Sequence, residues 1–101
     1  MKITIKEKEY NIKYTLRALM IFERIADKAF QLNTISDNYL FLYALLMANN
    51  PDMQLSFDDL INAADDDATI FKQYADFLKS EEEKRKMFAE DKEDEDNKKK
   101  D

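Results

Sequence analysis

Residues 39–48 read YLFLYALLMA, a run without a single charge. No other stretch restricts the fold of this chain so much. It is far shorter than the roughly 20 residues that span a bilayer. A helix apolar on nearly every side has to be enclosed by other elements. We therefore expect a buried central helix, with the rest of the chain built around it. Ser36 or Asp37 is a good N-cap for its start. ANNPD ends it, with two asparagines followed by the one proline in the sequence.

The elements around that helix follow from periodicity. Ile3 and Ile5 alternate with polar neighbours, and so do Tyr10, Ile12 and Tyr14, so residues 3–14 are expected to form a β-hairpin. Its turn is expected around Glu7 and Lys8, poor residues for a tight hairpin, so it is either strained or longer than two residues. From Thr15, a plausible N-cap, the rhythm becomes helical. A first helix is expected from Leu16 to about Lys28, with Leu16, Leu19 and Met20 towards the core. Ala18, Ile21, Phe22, Ile25 and Ala26 extend its apolar surface further round, so it needs more than one partner surface. A third helix is expected after Ser56, where SFDD is a weak capping pattern. Asp67 is expected to cap a fourth, amphipathic helix carrying Ile70, Phe71, Tyr74, Phe77 and Leu78.

From residue 81 the sequence is dominated by charge. Glu81 with Arg85 and Glu82 with Lys86 stand at the favourable i,i+4 spacing, so the helix is expected to run on, exposed, to about residue 90. EDKEDEDNKKKD is expected to be a disordered tail. The expectation is a mostly α fold with a short N-terminal β-hairpin. Residues 1–80 form a four-helix domain and residues 81–101 a charged extension.

Composition closes most routes to catalysis. Histidine, cysteine and glycine are absent. Their absence removes the commonest general base, thiolate chemistry and the glycine loops that cradle phosphates. No cofactor and no enzymatic activity are expected. The net charge of −6 disfavours nucleic acid and anionic membrane surfaces as partners. MKITIKEKEY lacks the apolar run of a signal peptide, so a soluble, cytoplasmic protein is expected. The cluster Asp65, Asp66, Asp67, with Asp58 and Asp59, lacks the alternation and central glycine of a calcium loop and is better read as helix capping. Glu23, Arg24, Asp27 and Lys28 are read as a narrow polar seam on the first helix.

The aromatic residues are the stronger lead. Tyr10, Tyr14, Phe22, Phe30, Tyr39, Phe41, Tyr43, Phe57, Phe71, Tyr74 and Phe77 are many for a core this small. Some are expected to form an exposed apolar patch, the mark of a binding surface. Met20, Met47 and Met53 add adaptable surface to it. The expected client-binding set is Leu19, Met20, Phe22, Tyr39, Tyr43, Met47, Phe71 and Tyr74.

The stretch ITIKEKEYNIKYTLRALMIFERIADKAF, with RALMIFE at Arg17 to Glu23, resembles the opening of tail assembly chaperones of long-tailed bacteriophages. The resemblance covers residues 2–80. It implies a non-catalytic protein that binds the apolar, helical tape measure protein in the bacterial cytoplasm. Such a protein keeps its client soluble until tail-tube protein polymerises round it, and is absent from the finished virion. The strand-to-helix stretch then supplies core on one side and a client or homo-oligomer surface on the other. Two other readings fit a small acidic protein. One is an adaptor that binds a partner helix, and the other is a DNA-mimic inhibitor.

Overall fold

The computed structural model describes residues 1–84 in full and, beyond them, only the span of the last helix. The last helix runs to Lys100, past the end expected near residue 90 and through most of the stretch expected to be a disordered tail, while the side chains beyond residue 84, Arg85 and Lys86 included, lie outside the described residues. The order of elements is β1 (Lys2–Ile5), β2 (Lys8–Asn11), α1 (Leu16–Ala26), α2 (Ile35–Asn49), α3 (Phe57–Asp66) and α4 (Thr69–Lys100). The fold is thus the expected one, four helices behind an antiparallel hairpin.

The hairpin register pairs Ile3 with Tyr10 and Ile5 with Lys8, so the turn is two residues, Lys6 and Glu7, one position earlier than expected. Both have positive φ, 51° and 66°. A two-residue turn matched to the strand twist needs that geometry, and side chains with a Cβ adopt it at a cost. The strain is therefore real, and the loop is not lengthened to relieve it. Ile3, Ile5, Tyr10 and Ile12 lie buried on the core side. Both free edges of this small sheet are closed by carboxamides. Thr4 N–H donates to Gln73 Oε1 at 2.9 Å, and Gln73 Nε2 donates to the Thr4 carbonyl at 3.1 Å. On the other edge Asn50 makes the same two bonds with Asn11, at 2.9 and 2.8 Å. Exposed strand edges invite pairing with other chains, and these side chains occupy them.

Thr15 caps α1, its Oγ1 accepting from Ala18 N–H at 3.1 Å. The helix ends at Asp27, which takes the left-handed conformation (φ 55°) that glycine usually supplies. It is therefore slightly shorter than expected. Its orientation also differs. Ala18 and Phe22 are fully buried, whereas Leu16 is 73% and Met20 54% exposed. The small Ala18 lets α1 lie close to α2. The Phe22 ring then meets Phe30 and Phe41 edge-on at 5.2 and 6.2 Å. Burying the phenyl ring outweighs burying the more flexible Met20.

The expected seam on α1 is not formed as a unit. Glu23 accepts from Phe30 N–H at 3.2 Å, and Lys28 reaches across to Asp37 on α2 at 2.6 Å. Helix α2 begins two or three residues earlier than expected, capped by Thr34, with Asp37 as the third residue of a capping box. Asp37 is nearly inaccessible, 2% exposed. Its Oδ2 accepts from the N–H groups of Asn33 and Thr34, and its Oδ1 takes Lys28. The Lys28 hydrogen bond holds this carboxyl below its ordinary range against the opposing effect of burial, and the two N–H bonds add to it. Phe41, Leu42, Ala44, Leu45 and Leu46 are buried on α2, so YLFLYALLMA is the central helix as expected.

Ser56 caps α3 in a complete capping box with Asp59. Asp67 ends α3 and accepts from Thr69 N–H and Oγ1, at 2.9 and 2.6 Å, which sets the entry to α4. Ile70, Tyr74 and Phe77 face the core from α4.

Candidate docking surface

Among the described residues three apolar depressions remain; one, of Tyr14, Phe30, Leu32 and Leu78, is lined by half-buried side chains, and the other two carry strongly exposed ones. The first of these two lies between α2 and α3, beside the first turn of α4. Ile35, Tyr39, Phe57, Ile61 and Ala64 line a groove, with Ser36 and Asp65 at its margins. Ile35 and Tyr39 stand one turn apart on α2, so both project to the same side. Ile35 is 75% exposed, a large loss of burial for a β-branched apolar residue at a helix start. Phe71 on α4 is 39% exposed, and its ring lies 5.6 Å from Tyr39. Tyr43 continues the Ile35–Tyr39 line; its ring packs on Phe57 at 5.7 Å and its hydroxyl donates to the Leu55 carbonyl at 3.0 Å. Burial first, then the negative charge of Asp65, raises the Tyr39 phenol above its ordinary value, so it presents a neutral hydroxyl.

The second surface is the outer side of α1, where Leu16, Met20 and Ile21 share a shallow depression with Arg17 and Arg24. Among the described residues neither guanidinium is in an ion pair.

The expected client-binding residues divide between these surfaces and the core. Met20 and Phe71 are exposed, one on each surface. Met47 is 40% exposed, further along the α2 line. Leu19, Tyr39 and Tyr43 are half-buried against the core. Phe22 and Tyr74 do not belong to the set. Phe22 is enclosed by Phe30 and Phe41. Tyr74 is 1% exposed, with its hydroxyl donating to Asn38 Oδ1 at 2.9 Å. Burial keeps that phenol un-ionised far above its usual range. Neither ring has a surface to offer a partner.

Leu16, Ile35 and Ile61 lie outside the binding residues expected from the sequence, and Phe57 enters only among the aromatic residues at large. Ile35 carried a usable signal. It precedes ANNPD by four turns but follows Thr34, whose T-x-x-D spacing to Asp37 marks a helix start. The first residues of a helix project from its end, where enclosure is least complete.

Among the described residues no group of three or more His, Cys, Asp or Glu is placed to hold a metal ion, and no helix is long and apolar enough to cross a membrane. Comparison with protein families, with characterised proteins and with solved structures finds no match.

Proposed function

We propose that this chain is a non-catalytic binding protein that holds an apolar, helical client in solution, in the manner of a phage tail assembly chaperone. The observation that carries this reading is the groove of Ile35, Tyr39, Phe57 and Ile61, with Phe71 beside it. Leaving five such residues partly open is costly unless they meet a partner. Grooves of this kind take the apolar face of a helix, read at i, i+3, i+4 and i+7. The tape measure protein of a long-tailed phage is a client of that chemistry, and the tail-tube protein would displace the chaperone during assembly. The net charge of −6 favours solubility of the loaded complex.

The test is co-expression with the longest coiled-coil-like protein encoded just downstream, followed by size exclusion. The expected result is that the downstream protein is soluble and co-elutes only when this chain is present. A downstream protein that stays insoluble with this chain present rules out the phage reading.

A further inference from the structure

The groove on α2 and α3 has a charge pattern as well as an apolar one. At 100° per residue, Asp58 and Asp65 fall on one row of α3, just outside the row of Phe57 and Ile61. They stand seven residues apart, about 10 Å along the helix. Both side chains are exposed, and neither is in an ion pair among the described residues. Their neighbours are differently employed, because Asp59 completes the α3 cap and Asp67 receives Thr69. The groove therefore has an apolar floor and one anionic flank.

We propose that this groove takes an amphipathic helix whose apolar ridge is bordered on one side by two cationic residues about seven positions apart. The proposal rests on the binding-protein reading above and specifies its client. Complementary charge at a rim selects partners and speeds their encounter, while like charge rejects them. A helix lying along α3 with lysines or arginines two turns apart meets both carboxylates at once. An acid-flanked ridge of equal apolarity meets repulsion at the same two points.

A second copy of this chain is the other occupant to weigh, because α1 also carries two arginines seven residues apart beside apolar side chains. Their placement argues against it. Around α1, Arg17 and Arg24 fall between Leu16 and Met20 on one side and Ile21 on the other. The guanidiniums thus stand in the middle of the face, where the groove is apolar, and not along its border.

Three fluorescent 18-residue helical peptides with one shared leucine ridge test this on the full chain. They differ only at two flank positions seven apart, which are Lys, Gln or Glu. We expect the Lys peptide to bind about tenfold tighter than the Gln peptide at low salt and the Glu peptide to bind weakest. The ranking should collapse in high salt and in the double variant Asp58→Asn, Asp65→Asn, whose unchanged melting curve confirms its fold. Equal binding of all three peptides, lost on Ile35→Asp, would overturn the charge inference and leave the binding-protein reading standing. No binding by any peptide would remove both. Concentration-dependent self-association that Arg17→Glu with Arg24→Glu abolishes, and that competes with the Lys peptide, would assign the groove to a second copy and overturn the proposal.

Discussion

At the scale of single residues, the chain does without glycine and, among the described residues, accepts the consequences at three positions. Lys6, Glu7 and Asp27 all have positive φ. The left-handed region costs a residue with a Cβ about 1–2 kcal/mol. Replacing Lys6-Glu7 with Asn-Gly should therefore raise stability by about 1–2 kcal/mol, measured by urea unfolding, with no change in the hairpin register. A loss of stability would mean that Lys6 or Glu7 makes a contact worth more than the strain. Asp37 works in the opposite sense. Its carboxylate gathers Lys28, Asn33 N–H and Thr34 N–H around one buried point, and so ties the α1–α2 connector to the central helix. Its folded pKa is depressed below the ordinary 3.8. The stability it supplies is therefore fully present above that value and is lost as pH falls through the lower folded value. Thermal melts between pH 6 and pH 2 should show a decline that is shallower in Asp37→Asn, with most of the difference appearing below about pH 4. At neutral pH the Asn variant should already be less stable, because Lys28 loses its charged partner. If the two decline in parallel, acid sensitivity resides elsewhere, for instance in Asp59 and Asp67, whose carboxyls are also lowered by their caps.

At the scale of elements, the sequence spoke clearly where a pattern had one interpretation. YLFLYALLMA had to be enclosed on most sides, and Phe41, Leu42, Ala44, Leu45 and Leu46 are, with Tyr39, Tyr43 and Met47 left on the open side. SFDD is a weak capping pattern, yet the box of Ser56 with Asp59 is complete despite aspartate in place of the usual glutamate. Where two patterns overlap, the sequence alone does not decide. Helix α1 is apolar round much of its surface, so periodicity could not decide which stripe faces inward. That choice came from the rings of Phe30 and Phe41, distant in sequence, which complete an edge-on cluster with Phe22. Likewise Ser36 and Asp37 looked like caps because each has the right side chain. The cap is Thr34, and Asp37 answers it from the third position, a relation visible only when the box is read as a pair. The groove was half legible. Tyr39, Tyr43 and Phe71 were in the expected set, but which aromatics stay open depends on how α3 crosses α2. The consequence for α1 is measurable. Leu16→Lys with Met20→Lys should change stability by less than about 0.5 kcal/mol for each substitution, since both side chains are already largely in solvent. Phe22→Ala should cost about 3–5 kcal/mol, as the loss of a fully buried ring. If the lysine pair destabilised the chain as much as the alanine, the outer side of α1 would be an internal surface and not an open one.

At the scale of the whole molecule, two open faces on one small chain raise the question of which one a client uses. The core among the described residues is closed by side chains between Ile3 and Leu78, with Tyr39 of the groove and Ile21 of the α1 face packed partly against it. The groove has features that the α1 face lacks. It is concave between two helices, it is lined by aromatic and branched residues, and its one charged margin lies outside the apolar row. The α1 face is the outer side of a single helix, with two guanidiniums across its middle. Enclosing a client's apolar ridge removes more surface from water in a groove than on a convex side, and a cation in the middle of the contact has to be desolvated. We therefore expect Ile35→Asp with Phe71→Asp to abolish co-solubilisation of the client; Ile35→Asp alone should leave the melting temperature within a few degrees of the parent, because Ile35 is 75% exposed, whereas Phe71, whose ring packs on Tyr39 and Tyr74, accounts for any further loss. Leu16→Asp with Met20→Asp should leave co-solubilisation intact. The reverse outcome, client lost by the α1 pair and kept by the groove pair, would move the binding site to the RALMIFE stretch. It would also leave the groove's aromatic lining and its two free aspartates without a partner to explain them.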